Sequence, residues 1–371
     1  MKLLPVVVLG LLWACSRSGP AESAPAGSAR PAPDAAAAPA SPPVAAGPPA
    51  RVHARSVKAM GTEAKFTAWI DDKDHAERAF DEAYKELQRL EVLMTDWERP
   101  GQPPSDVVRI NKAAGKAAVK VSNETLAVIE ESLDMSRRSE GAFDITYAAM
   151  RGLWKFDEDM EQKIPPDAEI ARRRKLINYR DVIVNRAAGT VKLRRPGMKL
   201  GLGGIAKGYA VDRCATVMRH NGLSDFMIQA GGDLFVSGQK GAANWMVGVR
   251  DPRGSATSII AKMPIKDSAF STAGDYERSF ILDGKRYHHI IDPKTGYPAT
   301  ASRGVTILAP SAFLADALDD AVFILGPEKG LALVATIPDC AALIVDANNK
   351  VWMSRSLEGK LQRTGAPTEG I

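Results

Sequence analysis

The feature that most restricts the fold of this chain is a long segment near its N-terminus with almost nothing to bury. Residues 16–49 consist almost entirely of Ala, Pro, Ser and Gly. Such a segment buries too little apolar surface to offset the entropy lost on folding, so we expect a disordered tether over residues 15–50. The rest of the 371-residue chain is long enough for one large domain or two ordinary ones.

The residues ahead of the tether have the pattern of an export signal. Lys2 precedes an apolar run, residues 3–14, that is too short to span a bilayer but suits the core of a signal peptide. The run ends in Trp13-Ala14-Cys15, which resembles the lipobox of bacterial lipoproteins. This resemblance implies a signal peptide over residues 1–14 and a lipid anchor on Cys15, at the periplasmic side of the bacterial cell envelope. An ordinary secretory signal with an incidental cysteine is the alternative.

Charge and cysteine content exclude some classes of function. The formal net charge of +5 is small, and no basic block alternates with aromatic residues, so we expect no nucleic-acid partner. The longest basic run, Arg172-Arg173-Arg174-Lys175, predicts a solvated helix face, with an anion anchor as the alternative. Cys214 and Cys340 match no metal-binding spacing, and both a disulfide and two buried thiols remain open.

The order of the periodic segments favours an α+β fold. Residues 53–70 alternate like a strand, and residues 74–94 carry apolar side chains at helical spacing. From residue 226 onward, strand patterns come in runs rather than in alternation with helices, which favours mostly antiparallel strands with flanking helices. We predict a catalytic domain over residues 51–358 and a flexible tail over residues 359–371.

A glycine cluster at residues 201–208 predicts a site for an anion. Glycine lets a ligand approach the backbone closely, the helix that follows presents free N–H groups, and Lys207 adds a positive charge. Gly201, Gly203 and Ala206 also satisfy the weak dinucleotide pattern G-x-G-x-x-[GA]. No convincing βαβ unit surrounds them, and a purely structural tight turn is the alternative.

Two further segments carry residue types suited to catalysis. His288 and His289 stand beside a Pro- and Gly-rich turn, and a histidine can transfer a proton near neutral pH. Asp316 and Asp320 are four residues apart in an apolar helical segment, so their carboxylates share one face. Hard oxygen ligands of this kind suit Mg²⁺. The alternatives are a structural histidine and an exposed acidic stripe.

Together, these segments and several others resemble the ApbE family, the FAD:protein FMN transferases. The resemblance covers nearly all of residues 51–355. It is carried by Met60-Gly61-Thr62, Arg109-Ile110-Asn111, Gly141-Ala142-Phe143-Asp144, residues 203–212, Gly231-Gly232-Asp233, Val249-Arg250-Asp251-Pro252, Gly274-Asp275-Tyr276, residues 289–298 and residues 315–318.

The resemblance implies an ApbE-type flavin transferase fold with FAD in a cleft and Mg²⁺ at its pyrophosphate. The implied metal ligands are the backbone carbonyl of Ala206, the Asp316 carboxylate and Asp320, which stands where the family has threonine. His289 matches the acid–base histidine, and Asp275 lies in a matching motif. The implied flavin-site residues are Met60, Trp97, Gly203, Gly204, Lys207, Asp212, Asp233 and His289; Trp97 stands where the family often has tyrosine.

The implied reaction is Mg²⁺-dependent transfer of FMN from FAD to a threonine hydroxyl of an acceptor flavoprotein, with release of AMP. Acceptors of this kind are subunits of membrane redox complexes or exported flavoproteins. An FAD pyrophosphatase that gives FMN and AMP, a non-catalytic flavin-binding lipoprotein and a nicotinamide-dependent oxidoreductase are the alternatives. The sequence does not identify the acceptor, the membrane that holds the anchor, or the oligomeric state.

Overall fold

The computed structural model describes residues 50–156 and 162–371, which contain six α-helices and sixteen strands. The helices are α1 Lys73–Met94, α2 Asp106–Lys112, α3 Asn123–Arg138, α4 Asp167–Arg174, α5 Ala206–His220 and α6 Ala312–Ala335. The strands are β1 Arg51–Ala59, β2 Thr62–Ile70, β3 Val119–Lys120, β4 Val182–Asn185, β5 Thr190–Leu193, β6 Phe226–Ala230, β7 Asp233–Ser237, β8 Trp245–Arg250, β9 Ile259–Ile265, β10 Ser268–Gly274, β11 Ser279–Leu282, β12 Lys285–His288, β13 Ser302–Ala309, β14 Ala341–Asp346, β15 Val351–Met353 and β16 Gln362–Arg363.

Eight of these strands form one antiparallel sheet in the order β1-β2-β6-β7-β10-β13-β14-β15. Three small antiparallel sheets, β11-β12, β16-β9-β8 and β3-β5-β4, complete the strand pairing. The antiparallel pairing and the helices that pack on the large sheet confirm the predicted α+β class.

The large sheet is covered on both faces, which explains why its central strands are apolar without alternation. Along β14, Ala342 and Ile344 pack into the core formed with the helices. Their neighbours Leu343 and Val345 point to the other face and pack against β8 and β9. Because successive side chains of a strand point to opposite faces, a strand covered on both sides must be apolar at every position.

The N-terminal strand pattern folds as a hairpin, so the prediction of one strand over residues 53–70 is wrong. The chain reverses at Met60 and Gly61, whose φ angles are +51° and +72°. Two positive φ angles in a two-residue loop are typical of the turn whose twist matches a β-hairpin. The reversal places Met60 at the end of the sheet where the functional site lies.

Helices α5 and α6 cross at very close range, and this contact positions the site. A Cβ atom on Gly208 would lie 2.2 Å from the carbonyl oxygen of Ala312, so only glycine fits there. The Gly208 N–H donates to the Asp316 carboxylate at 2.8 Å. The backbone N–H groups of Ala312 and Phe313, at the start of α6, donate to the carboxylate of Asp212 at 2.9 Å each. Asp212 of α5 therefore compensates the free donors at the start of α6.

The C-terminal segment predicted as a flexible tail is held against the domain. Strand β16 pairs with β9, and the Thr368 hydroxyl donates to Asp251 at 2.6 Å. The Asn349 amide donates to the Pro367 carbonyl at 3.0 Å. The structure differs from the prediction here because these polar contacts fix a segment that has few apolar residues of its own.

The predictions for the N-terminus and the thiols have different outcomes. The signal peptide, Cys15 and the tether up to residue 49 lie outside the described residues. In the described part of the chain, no helix is both long and apolar enough to cross a bilayer. Cys214 and Cys340 are free thiols, so the disulfide alternative is excluded in this structure.

The contact at Gly208 generates a prediction about stability. Alanine is intrinsically better than glycine in a helix by about 1 kcal/mol, but here its methyl group would meet a main-chain oxygen. We expect Gly208→Ala to lower the free energy of unfolding by about 1–3 kcal/mol, as overpacking does. Chemical denaturation measures this change. Gly365→Ala is the matched control, because a Cβ there meets nothing within 4 Å. Equal stability of the Gly208→Ala variant and wild type would show that the helices do not depend on this contact.

Candidate active site

A cavity of about 660 Å³ opens at the end of the sheet where α5, α6 and the turns of two hairpins meet. Its volume lies in the range of sites for small molecules and cofactors. Nine of the residues predicted for the site line it: Met60, Trp97, Gly203, Gly204, Ala206, Lys207, His289, Asp316 and Asp320.

One wall of the cavity is acidic. Asp316, Asp319 and Asp320 line it from α6, where helical spacing places all three on adjoining faces of the helix. The oxygens of Asp316, Asp319 and the buried Asp233 of β7 lie within 4.8 Å of one another. Asp319 was not assigned to the site from the sequence, although its position next to Asp320 was the available signal.

Lys207 is the cation that faces this acidic wall. Its Nζ lies 2.5 Å from Asp233 Oδ2 and 3.4 Å from Asp316 Oδ1. Burial opposes the charge on Lys207, but the carboxylates of Asp233 and Asp316 outweigh it and raise the pKa of the amine well above its usual value. The lysine is therefore protonated at any physiological pH.

Ser271 links Asp233 and Asp319 behind the acidic wall. The Oγ of Ser271, which is fully buried in β10, lies 2.6 Å from Asp233 Oδ1 and 2.6 Å from Asp319 Oδ2. A hydroxyl has one proton to donate, so two ionised carboxylates cannot both accept from it. Ser271 therefore donates to only one of the two carboxylates.

The carboxyl groups of the acidic wall lie close together, and their pKa values are raised. Burial raises the pKa of Asp316, and the nearby Asp233 raises it further, against the opposing effect of Lys207. Burial also raises the pKa of Asp319 well above its usual value, with Asp320 and Asp316 acting in the same direction. Burial is the main cause of the raised pKa of Asp320. The acidic wall carries more negative charge than one lysine neutralises.

The glycine cluster at residues 201–208 places its main chain against the acidic wall. A Cβ atom on Gly204 would lie 2.6 Å from Asp320 Oδ2, so the missing side chain is what allows the contact. Ile205, at the start of α5, provides no side-chain hydrogen bond to cap the helix. The first-turn N–H of Gly208 donates instead to the Asp316 carboxylate at 2.8 Å, so Lys207 is the group at this helix start that favours an anion.

His289 reaches the cavity from the β11–β12 hairpin. The pairing of Ser279 with His288 puts His288 on the opposite face, where its Nε2 lies 2.8 Å from the Ala299 carbonyl oxygen. The Nδ1 of His289 is buried and has no hydrogen-bond partner in the described part of the chain. Burial lowers the pKa of His289 to about 3, and the charges of His288, Arg278 and Lys207 act in the same direction. The ring is therefore neutral, and one of its nitrogens carries a free lone pair.

The rim of the cavity contains residues that the sequence analysis missed. Trp97 is 63% exposed, and the Arg151 guanidinium carbon lies 4.7 Å from the centre of its ring. Arg151 also pairs with Asp96. The half-buried Tyr147 lines the cavity, and a Cβ on Gly203 would lie 3.2 Å from its hydroxyl. Tyr147 and Arg151 belong to the short 3₁₀ helix Ile145–Met150 and the residue that follows it, and no local pattern in the sequence brings this segment to the loop of Trp97.

Three of the predicted site residues are not in the cavity lining. Asp275 is buried in a bidentate ion pair with Arg253, at 2.6 and 2.8 Å, so its charge is already balanced away from the cavity. Asp212, in α5, accepts a hydrogen bond from the Ala312 N–H at the start of α6. Asp233 contacts the cavity only through Lys207 and Ser271. These contacts are structural for Asp275 and Asp212, whereas Asp233 holds the lysine in place.

The basic run at the end of α4 is exposed at Arg172, Arg174 and Lys175, as predicted, and two of its arginines also contact the rim. Arg173 donates to the carbonyl of Arg151 at 2.9 Å, and Arg174 donates to that of Lys294 at 2.8 Å. Arg172 pairs with Glu169 on its own helix.

Comparisons with known proteins agree with this geometry. The model of the ApbE family matches residues 60–344. The chain is 34% identical over 298 residues to the FAD:protein FMN transferase of Treponema pallidum, covering 76% of this chain and 81% of that protein. It is 31% identical to a protein of the same name from Klebsiella pneumoniae, covering 82% of this chain and 92% of that protein.

Among solved structures, the ApbE protein of Thermotoga maritima aligns with a TM-score of 0.75 at 30% identity, covering 84% of this chain and 99% of that one. The flavin transferase ApbE of Vibrio cholerae aligns with a TM-score of 0.73 at 26% identity, with the same coverage.

The neutral state of His289 generates a prediction about pH. Its usual pKa is 6.5 and its folded pKa is about 3, so between these values the unfolded chain binds a proton at this ring and the folded chain does not. This contribution destabilises the fold as the pH falls below about 6.5, by about 1–2 kcal/mol between pH 6.5 and pH 5. We expect His289→Gln to lose less stability than wild type over this interval in denaturant titrations. His220→Gln, at an exposed site, is the control. Parallel losses in wild type and His289→Gln would refute the neutral buried ring.

Proposed function

The chain belongs to the ApbE family, and we propose that it is an FAD:protein FMN transferase that moves FMN from FAD to a threonine hydroxyl of an acceptor flavoprotein. The observation that carries this proposal is that a neutral histidine and an acidic wall with a half-buried lysine line the same cavity. A phosphoryl-type transfer needs both a proton acceptor for the attacking hydroxyl and compensation for the charge of the pyrophosphate.

The donor set of the cavity fits Mg²⁺. Asp316 and Asp320 offer carboxylate oxygens, and the carbonyl of Ala206 lies in the adjoining turn, so these three groups would hold the ion. Asp233 and Asp319 each have an oxygen within 4.8 Å of an Asp316 oxygen. However, Asp233 is already paired with Lys207, and Asp319 already contacts Ser271. Asp320 accepts no hydrogen bond from the described residues and is therefore the freer ligand. When bound, Mg²⁺ would neutralise charge on the pyrophosphate.

The chain's own residues account for the remaining chemistry. His289 takes the proton of the acceptor hydroxyl, whose oxygen forms a new bond to the phosphorus of the FMN half. The bond from that phosphorus to the bridging oxygen breaks, and AMP leaves with the bridging oxygen. The ammonium group of Lys207 stabilises the negative charge of the phosphoryl groups.

One observation favours a second reaction, hydrolysis of FAD to FMN and AMP. Trp97 at the rim is largely exposed, so in the absence of an acceptor water has access to the cavity. Water would then replace the threonine hydroxyl as the nucleophile. A non-catalytic flavin-binding role is less well supported, because a buried excess of carboxylates suits a metal-dependent reaction better than storage of a ligand.

We also propose that the enzyme works at the periplasmic side of the cell envelope, anchored through lipid on Cys15. The apolar run over residues 3–14, followed by Ala14-Cys15, supports this proposal. The long Ala- and Pro-rich tether would let the domain reach an acceptor at the membrane. Loss of the protein from the membrane fraction in a Cys15→Ser variant would support the anchor, and unchanged fractionation would refute it.

Co-expression with a flavin-acceptor domain tests the transferase proposal. We expect intact-mass and peptide mass spectrometry to find FMN esterified to a threonine of the acceptor with the wild-type enzyme. His289→Gln should still bind FAD but transfer no FMN, because the proton acceptor is missing. An acceptor with alanine at the target position is the control. AMP release without any modified acceptor would instead assign hydrolysis, and full transfer by His289→Gln would remove the histidine from the mechanism.

The proposed metal ligands generate a prediction that does not depend on activity. A cation that binds only the folded state stabilises it by about 2.7 kcal/mol at a concentration 100-fold above its Kd. We expect Mg²⁺ or Mn²⁺ to raise the melting temperature of wild type but not of Asp316→Asn. Without metal, the variant should be at least as stable as wild type at this site, because it removes one crowded charge. Asp74→Asn, at an exposed position, is the control. An equal metal-induced shift in Asp316→Asn and wild type would place the ion elsewhere.

A further inference from the structure

One cationic side chain in the cavity has no carboxylate partner. In the described part of the chain, four lysine and arginine side chains line the cavity, and three of them are ion-paired. Arg278 is the fourth, and no described carboxylate lies within ion-pair distance of it. The three pairs are Arg99 with Glu91 at 2.6 Å, Arg151 with Asp96, and Lys207 with Asp233 at 2.5 Å.

The register of the β11–β12 hairpin places Arg278 beside the proposed proton acceptor. Ser279 pairs with His288, so the next pair along the antiparallel ladder is Arg278 with His289. The His289 N–H donates to the Arg278 carbonyl at 3.1 Å, which confirms that the ladder continues by one step. Directly opposite residues of an antiparallel pair point to the same face, about 5 Å apart at Cβ. Arg278 and His289 therefore both face the cavity.

The surroundings of Arg278 leave its guanidinium free to bind a ligand. Its Nη2 lies 3.5 Å from where a Cβ on Gly61 would be, so the group stands beside the β1–β2 turn at the cavity mouth. Arg278 is exposed, and its charge therefore carries little desolvation cost. The neighbouring Glu277 is already paired with Arg250 at 3.1 Å.

From these contacts we propose that Arg278 binds the phosphoryl group of FAD at which His289 acts, and so is a substrate-binding residue of the transfer reaction. This inference rests on the proposed function. A guanidinium presents its N–H donors in a planar fork that matches two phosphate oxygens. The pyrophosphate would thus have a cation on each side, Lys207 from the acidic wall and Arg278 from the hairpin.

The phosphoryl group bound by Arg278 would also compensate the positive charge that develops on His289 during the reaction. When the acceptor oxygen bonds to phosphorus and its proton moves to His289, the ring becomes cationic next to Arg278. An anionic phosphoryl group between the two cations separates and stabilises them. The arginine thus contacts the reacting group and is more than a support for the histidine.

Ligand titrations separate phosphate recognition from flavin recognition. Kd values for FAD and for riboflavin, which lacks phosphate, are measured by calorimetry in EDTA so that no turnover occurs. For Arg278→Gln, we expect the Kd for FAD to rise about tenfold or more, as for a lost charge-assisted hydrogen bond, and the Kd for riboflavin to change by less than about twofold. Arg278→Lys should recover part of the FAD affinity. Arg172→Gln, whose exposed arginine is absent from the cavity lining and pairs with Glu169 on its own helix, is the matched control and should behave as wild type.

The outcomes distinguish this inference from the function on which it rests. An unchanged Kd for FAD in Arg278→Gln, or an equal loss for FAD and riboflavin, would overturn the phosphate-binding role alone. If wild type binds FAD no better than riboflavin, the proposed function fails as well. A selective loss for FAD, with an unchanged melting temperature, would support the assignment.

Discussion

The active site depends on how closely α5 and α6 approach each other. The absence of a side chain at Gly208 lets its N–H reach the Asp316 carboxylate, so a helix start and an acidic helix face meet in one place. Asp212 reinforces this junction by accepting the first N–H groups of α6. Everything else in the acidic wall, including its contact with the glycine turn through Gly204, follows from this geometry.

The junction concentrates more negative charge than the fold neutralises. Four buried or half-buried aspartates stand against Lys207, and the raised pKa values of Asp316, Asp319 and Asp320 are the physical sign of this imbalance. Such crowding costs stability, and a fold that retains it at a cavity commonly uses it for function. A divalent cation and a pyrophosphate together would compensate the acidic wall and Lys207, which explains why both kinds of group occur side by side.

Much of this site could be predicted from the sequence because its main features are local. The glycine turn, Lys207 and the spacing of Asp316 and Asp320 are read within single segments, and the structure places all of them in the cavity lining. Asp275 and Asp212 show the limit of that reading. A motif shows that a carboxylate is present but not what it meets, and here the partners are Arg253 and the start of α6, both distant in sequence. Tyr147 and Arg151 at the rim were missed for the same reason, whereas Trp97 was predicted from the family resemblance. The β1–β2 reversal was missed because Met60, a residue that rarely has a positive φ angle, hid the turn.

The account's central claim is that the acidic wall beside Lys207 holds a divalent cation together with the pyrophosphate of FAD. Crystals grown with FAD and Mn²⁺ test it directly, because manganese is located by its anomalous scattering. The account predicts an anomalous peak within about 2.0–2.3 Å of oxygens from Asp316, Asp320 and the substrate's phosphates, close to octahedral in geometry. A fully occupied FAD site with no peak at these carboxylates, or with manganese only at surface acids, would contradict it.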